Sequence, residues 1–119
     1  MDIRIDEING TSVAVVASTE VIINDVQDAL DLLGNSSYQG ASKVIIRKEH
    51  LNPDFFDLKT GMAGEILQKF SNYRQHLAIV GDFSEFTSKS LRDFIYESNK
   101  TGRIVFVGTE HEAKELLGK

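Results

Sequence analysis

The chain contains no cysteine, so disulfide bonds, thiolate metal sites and cysteine nucleophiles are excluded. This composition suits a reducing cytoplasm, where we expect the protein to act. Hydrophobic runs are short, and none approaches the length that a membrane-spanning helix requires. The first ten residues are polar and lack the apolar segment of a signal peptide. We therefore expect a soluble protein without a membrane partner.

Basic residues are too few for a general nucleic-acid binder, because a net charge of −5 leaves no basic stripe for phosphates. The glycine fingerprints of dinucleotide and P-loop sites are absent, as is the G-x-S-x-G elbow of hydrolases. His50, His76 and His111 stand at no metal-ligand spacing, and we interpret them as surface histidines. We expect no nucleic-acid partner, no cofactor and no metal, and an enzyme is the less favoured class.

What the chain does have is an alternation of strand-like and helix-like segments over residues 1–119, a length typical of one domain. Asn9-Gly10 separates two strand-like runs and is a strong hairpin signal. Three further strands are predicted at 43–48, 77–82 and 103–109, each followed by a helical pattern. The predicted order is β-β-α-β-α-β-α-β-α, an α/β fold with a mixed sheet in which an N-terminal hairpin precedes parallel strands.

Capping residues and apolar periodicity predict the ends of the helices. The first helix is expected to begin at the cap Asn24 and to end at Gly34-Asn35. Asn52 and Pro53 predict a short helical turn before the second helix. The last helix is expected to bury three apolar residues, namely Ala113, Leu116 and Leu117.

The loops that follow parallel strands share one edge of the sheet, where α/β proteins usually place their functional sites. We call it the carboxyl edge. In this chain it is expected to collect Asn24 and the segments 50–60, 82–88 and 108–109.

Acidic residues at the carboxyl edge suggest one kind of chemistry. Asp54, Asp57 and Asp82, beside Lys59 and Thr60, resemble the ingredients of the phospho-acceptor pocket of response-regulator receivers. Receivers begin with a β-α unit, whereas this chain begins with a hairpin. We therefore favour capping and loop roles for Asp57 and Asp82. An enzyme that uses Asp57, Lys59 and Asp82 requires their side chains to converge.

Thr60 has two interpretations. It is an N-cap for the helix that follows, its hydroxyl bonding an unpaired N–H group. A hydroxyl at a helix N-terminus is also a place where phosphate is tolerated, which makes Thr60 a candidate phospho-acceptor. We interpret Gly61, Ala63 and Gly64 as residues that let the helix approach the sheet closely, rather than as a ligand cradle.

Phe55, Phe56, Phe83 and Phe86 form two aromatic pairs in loops that should meet at the carboxyl edge. Such residues usually cover the core. If several are exposed, they mark a site for a partner or an apolar ligand.

Four segments carry a resemblance that covers nearly the whole chain: “IINDVQDALDLL”, “FFDLKTGMAGEILQKFSNY”, “LAIVGDF” and “SKSLRDFIYESN”. They resemble a small bacterial family described only as a domain of unknown function, which implies no activity.

The element order and the segment “LKTG” resemble the STAS domain of anti-sigma-factor antagonists, whose strands lie in sequential order. There the helix after the third strand opens with Asp-Ser-Ser-Gly, and a partner kinase phosphorylates the second serine. The resemblance implies that Thr60 matches the phospho-acceptor and Gly61 the glycine, with Leu58 and Lys59 departing from the motif. It also implies a one-sided helix layer and an uncovered sheet face, lined in part by Asp2, Arg4, Asp6 and Arg47.

The sequence thus predicts a STAS-like, non-enzymatic regulatory module that binds a protein partner and is controlled by phosphorylation at Thr60. The residues expected at the interaction edge are Phe55, Phe56, Asp57, Lys59, Gly61, Asp82, Phe83 and Phe86. The alternative is a module that binds a small ligand or lipid in an apolar pocket at the same edge.

Overall fold

The computed structural model describes residues 2–118. In this part of the chain five strands and four α-helices follow the predicted order: β1 Ile3–Ile8, β2 Thr11–Val16, α1 Val26–Tyr38, β3 Lys43–Arg47, α2 Met62–Asn72, β4 His76–Val80, α3 Lys89–Thr101, β5 Ile104–Val107 and α4 Glu110–Leu117. Three 3₁₀ turns lie between β3 and α2, at Lys48–His50, Pro53–Phe56 and Leu58–Thr60. The predicted α/β class and element order are confirmed.

The five strands form one sheet in the order β1-β2-β3-β4-β5. β1 is antiparallel to β2, and the remaining neighbours are parallel. Asn9 and Gly10 both adopt positive φ angles, 51° and 80°, as a tight hairpin turn requires. The parallel arrangement brings the loops after β2, β3, β4 and β5 to the carboxyl edge.

Both faces of the sheet are apolar, because consecutive residues of a strand point to opposite sides. In β2, Ala14 and Val16 lie on one face and Val13 and Val15 on the other, and all four are buried. The face with Ala14 and Val16 packs against α1, α2 and α3, whose contributions include Ala29, Leu32, Leu33, Ile66, Phe70, Phe94 and Ile95. This layer forms the larger core and supports the loops of the carboxyl edge.

α4 covers the second face, so the expected one-sided helix layer is wrong. Ala113 and Leu117 pack there against apolar residues that include Val15 and Ile45. The right-handed rule for connections between parallel strands does not determine the side of a helix that follows the last strand. The apolar second face is stabilised when α4 removes it from water. Leu116 was expected to be buried but is 45% exposed.

Charged side chains of β1 bind α4 instead of lining an open face. Arg4 donates from Nε to a carboxylate oxygen of Asp6 at 3.0 Å, and Lys114 Nζ lies 2.9 Å from the other oxygen. The hydrogen bonds from Arg4 and Lys114 hold the pKa of the Asp6 carboxyl below its ordinary value. Asp2 and Arg47 remain exposed.

α1 differs from its predicted ends at both termini. Its cap is Asp25, not Asn24, because the Asp25 carboxylate accepts from the N–H of Asp28 at 2.8 Å. The helix continues past Gly34 to Tyr38, and Ser36 in this last turn is fully buried. The positive φ that ends such a helix is found at Gly40, at 88°. Within residues 2–118, no helix combines the length and hydrophobicity needed to cross a membrane.

The free edge of β5 is occupied by a side chain. The amide of Asn99, on α3, donates to the carbonyl oxygen of Phe106 at 3.2 Å and accepts from its N–H at 2.7 Å. These are the backbone groups that a further strand would use, so Asn99 blunts the edge of the sheet.

Candidate functional site

Three loops meet at the carboxyl edge: the first loop (residues 17–25), the second loop (residues 48–61) and the third loop (residues 81–88). Backbone hydrogen bonds join the first two. The N–H groups of Ile22 and Ile23 donate to the carbonyl of His50 at 2.9 and 3.0 Å, and the N–H of Asn52 donates to the carbonyl of Ile23 at 2.9 Å. The first two loops therefore form one continuous wall.

His50 is buried, which corrects its interpretation as a surface histidine. Its Nδ1 accepts from the N–H of Arg47 at 2.9 Å, and its Nε2 lies 2.7 Å from the carbonyl oxygen of Ser18. Because a carbonyl can only accept, Nε2 carries the proton and the ring is neutral. No spacing rule could have found this role, since both partners of the ring are backbone groups.

The four edge phenylalanines come together but have different environments. Phe55 is fully buried and packs edge-on against Phe56, with ring centroids 5.1 Å apart. Phe83 packs edge-on against Phe106 of β5 at 5.3 Å. Phe56 stacks on Phe86 at 4.8 Å with an interplanar angle of 15°, and both are partly exposed. Phe83 is partly exposed as well, so Phe55 is the one of the four that is fully buried, and the stacked pair Phe56 and Phe86 borders a groove.

Beside this pair lies an open groove of about 390 Å³, which we call the edge groove. Its lining is Val21, Lys48, Glu49, Leu51, Pro53, Phe56, Glu85 and Phe86, which come from all three loops. Val21 is 41% exposed, which is unusual for an aliphatic residue of this protein. The groove combines an apolar floor with a few charged groups, as binding sites commonly do.

Lys48 ties the third loop to the end of β3. Its ammonium donates to the carbonyl of Asp82 at 3.0 Å, forms an ion pair with Glu85, and lies 5.3 Å from the ring centroid of Phe86. Its stem runs against Gly81, where an added Cβ would lie 2.8 Å from the Lys48 Cβ. Lys48 and Glu85 were not predicted as site residues, although Lys48 directly follows a strand whose end lies at the carboxyl edge.

Thr60 lies at the end of the second loop and is exposed. Its Oγ1 lies 2.8 Å from the carbonyl oxygen of Asp54 and 2.9 Å from that of Asp57, which share its proton. The same oxygen accepts from the N–H of Met62 at 3.2 Å. The cap position of α2 is Gly61 rather than Thr60, but the Thr60 hydroxyl still satisfies one N–H group of the first turn.

The glycines after Thr60 do not serve close packing, which corrects that interpretation. Gly61 is needed for its backbone, because its φ of 78° lies in the left-handed region. Gly64 is exposed, and an added Cβ would meet nothing within 4 Å. Only Ala63 is buried against the core.

The acidic residues serve separate local turns. Asp57 accepts from the N–H of Lys59 at 3.2 Å, and Asp82 accepts from the N–H and hydroxyl of Ser84 at 2.9 and 2.6 Å. The bonds from Ser84 hold the pKa of the Asp82 carboxyl below its ordinary value. Over residues 2–118, Lys59 meets Asp57 only through its backbone N–H, and neither residue is hydrogen-bonded to Asp82. No group of three acidic or histidine side chains in this part of the chain could hold a metal ion.

Comparison with known proteins gives one match. The model of the family described as Domain of unknown function (DUF4180) matches residues 8–117. No curated protein and no solved structure matches the chain significantly. Because the match spans β2 to β5, all four helices and the three loops of the edge groove, we conclude that the chain belongs to the family described as Domain of unknown function (DUF4180).

Proposed function

We propose that this chain is a non-enzymatic regulatory module that binds a protein partner in the edge groove and is controlled by phosphorylation of Thr60. The observation that carries the proposal is the link between Thr60 and the wall of the groove. The Thr60 hydroxyl bonds the carbonyl of Asp54, and both Pro53 and Phe56 of the same 3₁₀ turn line the groove. A change at this hydroxyl therefore reaches the binding surface through one short turn.

Phosphorylation would change the contacts of Thr60 directly. It would remove the donated proton and add about 1.5 to 2 negative charges at neutral pH. The carbonyl oxygens of Asp54 and Asp57 lie within 2.9 Å of Oγ1 and would repel the phosphate. The Pro53–Phe56 turn would move away, and the wall of the groove would move with it. The N-terminus of α2 favours the added negative charge, so the helix tolerates the modified residue.

A STAS-like organisation is part of this proposal, as are a bacterial origin and a cytoplasmic location. The sequential order of the sheet and the position of Thr60-Gly61 before the helix that follows the third strand support the likeness. Leu58 and Lys59 depart from the motif of that family.

A small-ligand or lipid-binding function is the second candidate, and one observation favours it. A volume of about 390 Å³ falls within the range of small-molecule sites. The groove is open, however, and Glu49 and Glu85 at its rim would repel the anionic headgroup of a fatty acid or phospholipid. A thermal-shift screen with fatty acids and neutral apolar metabolites tests this function, and an unchanged melting temperature throughout would contradict it.

The proposed function is tested by capture of partners from a lysate of the source organism. Wild-type bait is compared with Val21→Glu, which places a charge on the apolar floor of the groove at an already exposed position. Leu116→Glu is the matched control, because Leu116 is 45% exposed on α4 and does not line the groove. The amount of a specific partner that is captured should fall at least about tenfold with Val21→Glu and should stay unchanged with Leu116→Glu. The partner is then purified, and its affinity is measured by calorimetry.

Control through Thr60 is tested with the same purified partner. Thr60→Asp should weaken binding by about tenfold, whereas Ser37→Asp, an exposed acidic substitution on α1, should not. Equal binding by wild type and Val21→Glu would contradict the groove as the binding surface. Equal binding by wild type and Thr60→Asp, with Val21→Glu impaired, would contradict the regulatory role of Thr60 alone.

A further inference from the structure

The charges around the edge groove restrict the chemistry of its partner. Lys48 is the single basic residue of the lining, and its ammonium is already bound by Glu85 and by the carbonyl of Asp82. Its side chain is only 19% exposed. Lys48 is therefore not available as a counter-ion for an anionic ligand.

The acidic residues of the rim are accessible. Glu49 is exposed and forms no ion pair with any residue in the range 2–118. The side chain of Glu85 is 60% exposed although it pairs with Lys48. Asp82, which adjoins the groove, is exposed and holds its negative charge through the bonds from Ser84. An uncompensated negative potential thus borders the apolar floor.

We infer that the edge groove binds a protein segment in which a large apolar side chain is flanked by lysine or arginine. The apolar side chain would enter between Val21 and the stacked Phe56 and Phe86, removing exposed apolar surface from water. The flanking cation would lie against Glu49 at the rim. This inference rests on the proposed function and adds the chemical class of the partner.

The same charges disfavour other occupants of the groove. Nucleic acids and the inner surfaces of membranes are anionic, and both would be repelled by Glu49, Glu85 and the net charge of −5. An acidic peptide would meet the same repulsion. A peptide with basic and apolar residues is attracted by the acidic rim and also buries apolar surface on the floor of the groove.

Three labelled synthetic peptides serve as probes in fluorescence anisotropy. The first has a central Leu-Phe pair with two lysines on each side. The second replaces the lysines with glutamates, and the third replaces Leu-Phe with two serines. We expect the first peptide to bind at least about tenfold more tightly than either of the others, and its affinity to fall as salt is added.

A pair of charge-reversal variants tests whether the lysines of the peptide are attracted to the rim of the groove. Glu49→Lys should weaken binding of the first peptide by roughly fivefold to tenfold. Glu97→Lys makes the same change at an exposed position on α3 outside the groove, and it should change binding by less than about twofold. If both variants lost the same affinity for the first peptide, binding would depend on net charge alone, and the inference would be overturned.

Two further outcomes would also overturn it: binding of the glutamate peptide as tight as that of the lysine peptide, or no binding of any peptide at about 1 mM. These failures differ from a failure of the proposed function. If Val21→Glu still loses the captured partner, the groove is a binding surface and only the chemistry assigned to its occupant is wrong. If Val21→Glu loses neither the partner nor the peptide, the groove itself is the wrong surface.

Discussion

Gly61 and Gly64 are three residues apart at the start of α2, yet the structure predicts opposite effects when each is changed to alanine. Gly64 lies within the helix, is exposed, and leaves open space around an added Cβ. Gly61 is the cap residue and has a φ of 78°. Neither position lies against the sheet. The two substitutions therefore test backbone conformation without a change in packing.

The expected magnitudes follow from the two conformations. Alanine inside a helix is favoured over glycine by about 0.5 to 1 kcal/mol, so Gly64→Ala should stabilise the protein by this amount. An alanine in the left-handed region costs roughly 1 to 2 kcal/mol, partly offset by a less flexible unfolded chain, so Gly61→Ala should destabilise it by about 1 kcal/mol. For a chain of this size, 1 kcal/mol corresponds to roughly 3 to 5 °C in melting temperature.

Chemical denaturation followed by far-UV circular dichroism measures both free energies of unfolding. The decisive quantity is the difference between the variants, which should be about 1.5 to 2 kcal/mol in favour of Gly64→Ala. Destabilisation by Gly64→Ala would refute the reasoning, because it would mean that the first turn of α2 needs a glycine for close approach. A Gly64→Ala protein that is more stable but loses its partner would instead place Gly64 in the binding surface.

Three other predictions concern the sheet and its two sides. Asn99→Ala frees the backbone groups of Phe106, and we expect the free energy of unfolding to fall by about 1 kcal/mol. The exposed edge of β5 should also cause self-association that rises with concentration in analytical ultracentrifugation. A monomer at all concentrations would contradict the role of Asn99 in protecting this edge. Nitrogen-correlated NMR of the His50 ring should show the neutral form protonated at Nε2 at pH 7, whereas protonation at Nδ1 would exclude its bond from the backbone. The pKa of Asp6 is lowered in the folded state, so its contribution to stability is present above the ordinary carboxyl value of 3.8 and is lost as pH falls through the folded pKa. The stability difference between wild type and Asp6→Asn, measured by urea denaturation from pH 7 to pH 3, should therefore shrink with acid, and a constant difference would show that the charge of Asp6 is not responsible.

The sequence predicted which loops lie at the carboxyl edge, but not which of their side chains are buried and which line the groove. Sequence periodicity placed the aromatic pairs and Thr60 in loops at one edge, because strand order alone determines which loops meet there. It could not separate Phe55, which is buried, from Phe86, which lines the groove, because the two differ only in what packs over them. Lys48 was missed because its role depends on Gly81 and Glu85, which lie more than thirty residues away.

The sequence by itself determined the α/β order, the hairpin at Asn9-Gly10 and the parallel strands, because these depend on local patterns of period 2 or 3.6 and on short turns. Tertiary structure alone decided the side on which α4 packs, the burial of His50 and the shape of the edge groove. Each of these depends on contacts between segments far apart in the chain, and such contacts leave no periodic signal in either segment. For Thr60 the sequence offered the hydroxyl as a candidate, and only the folded chain connects it, through the carbonyl of Asp54, to the turn that lines the edge groove.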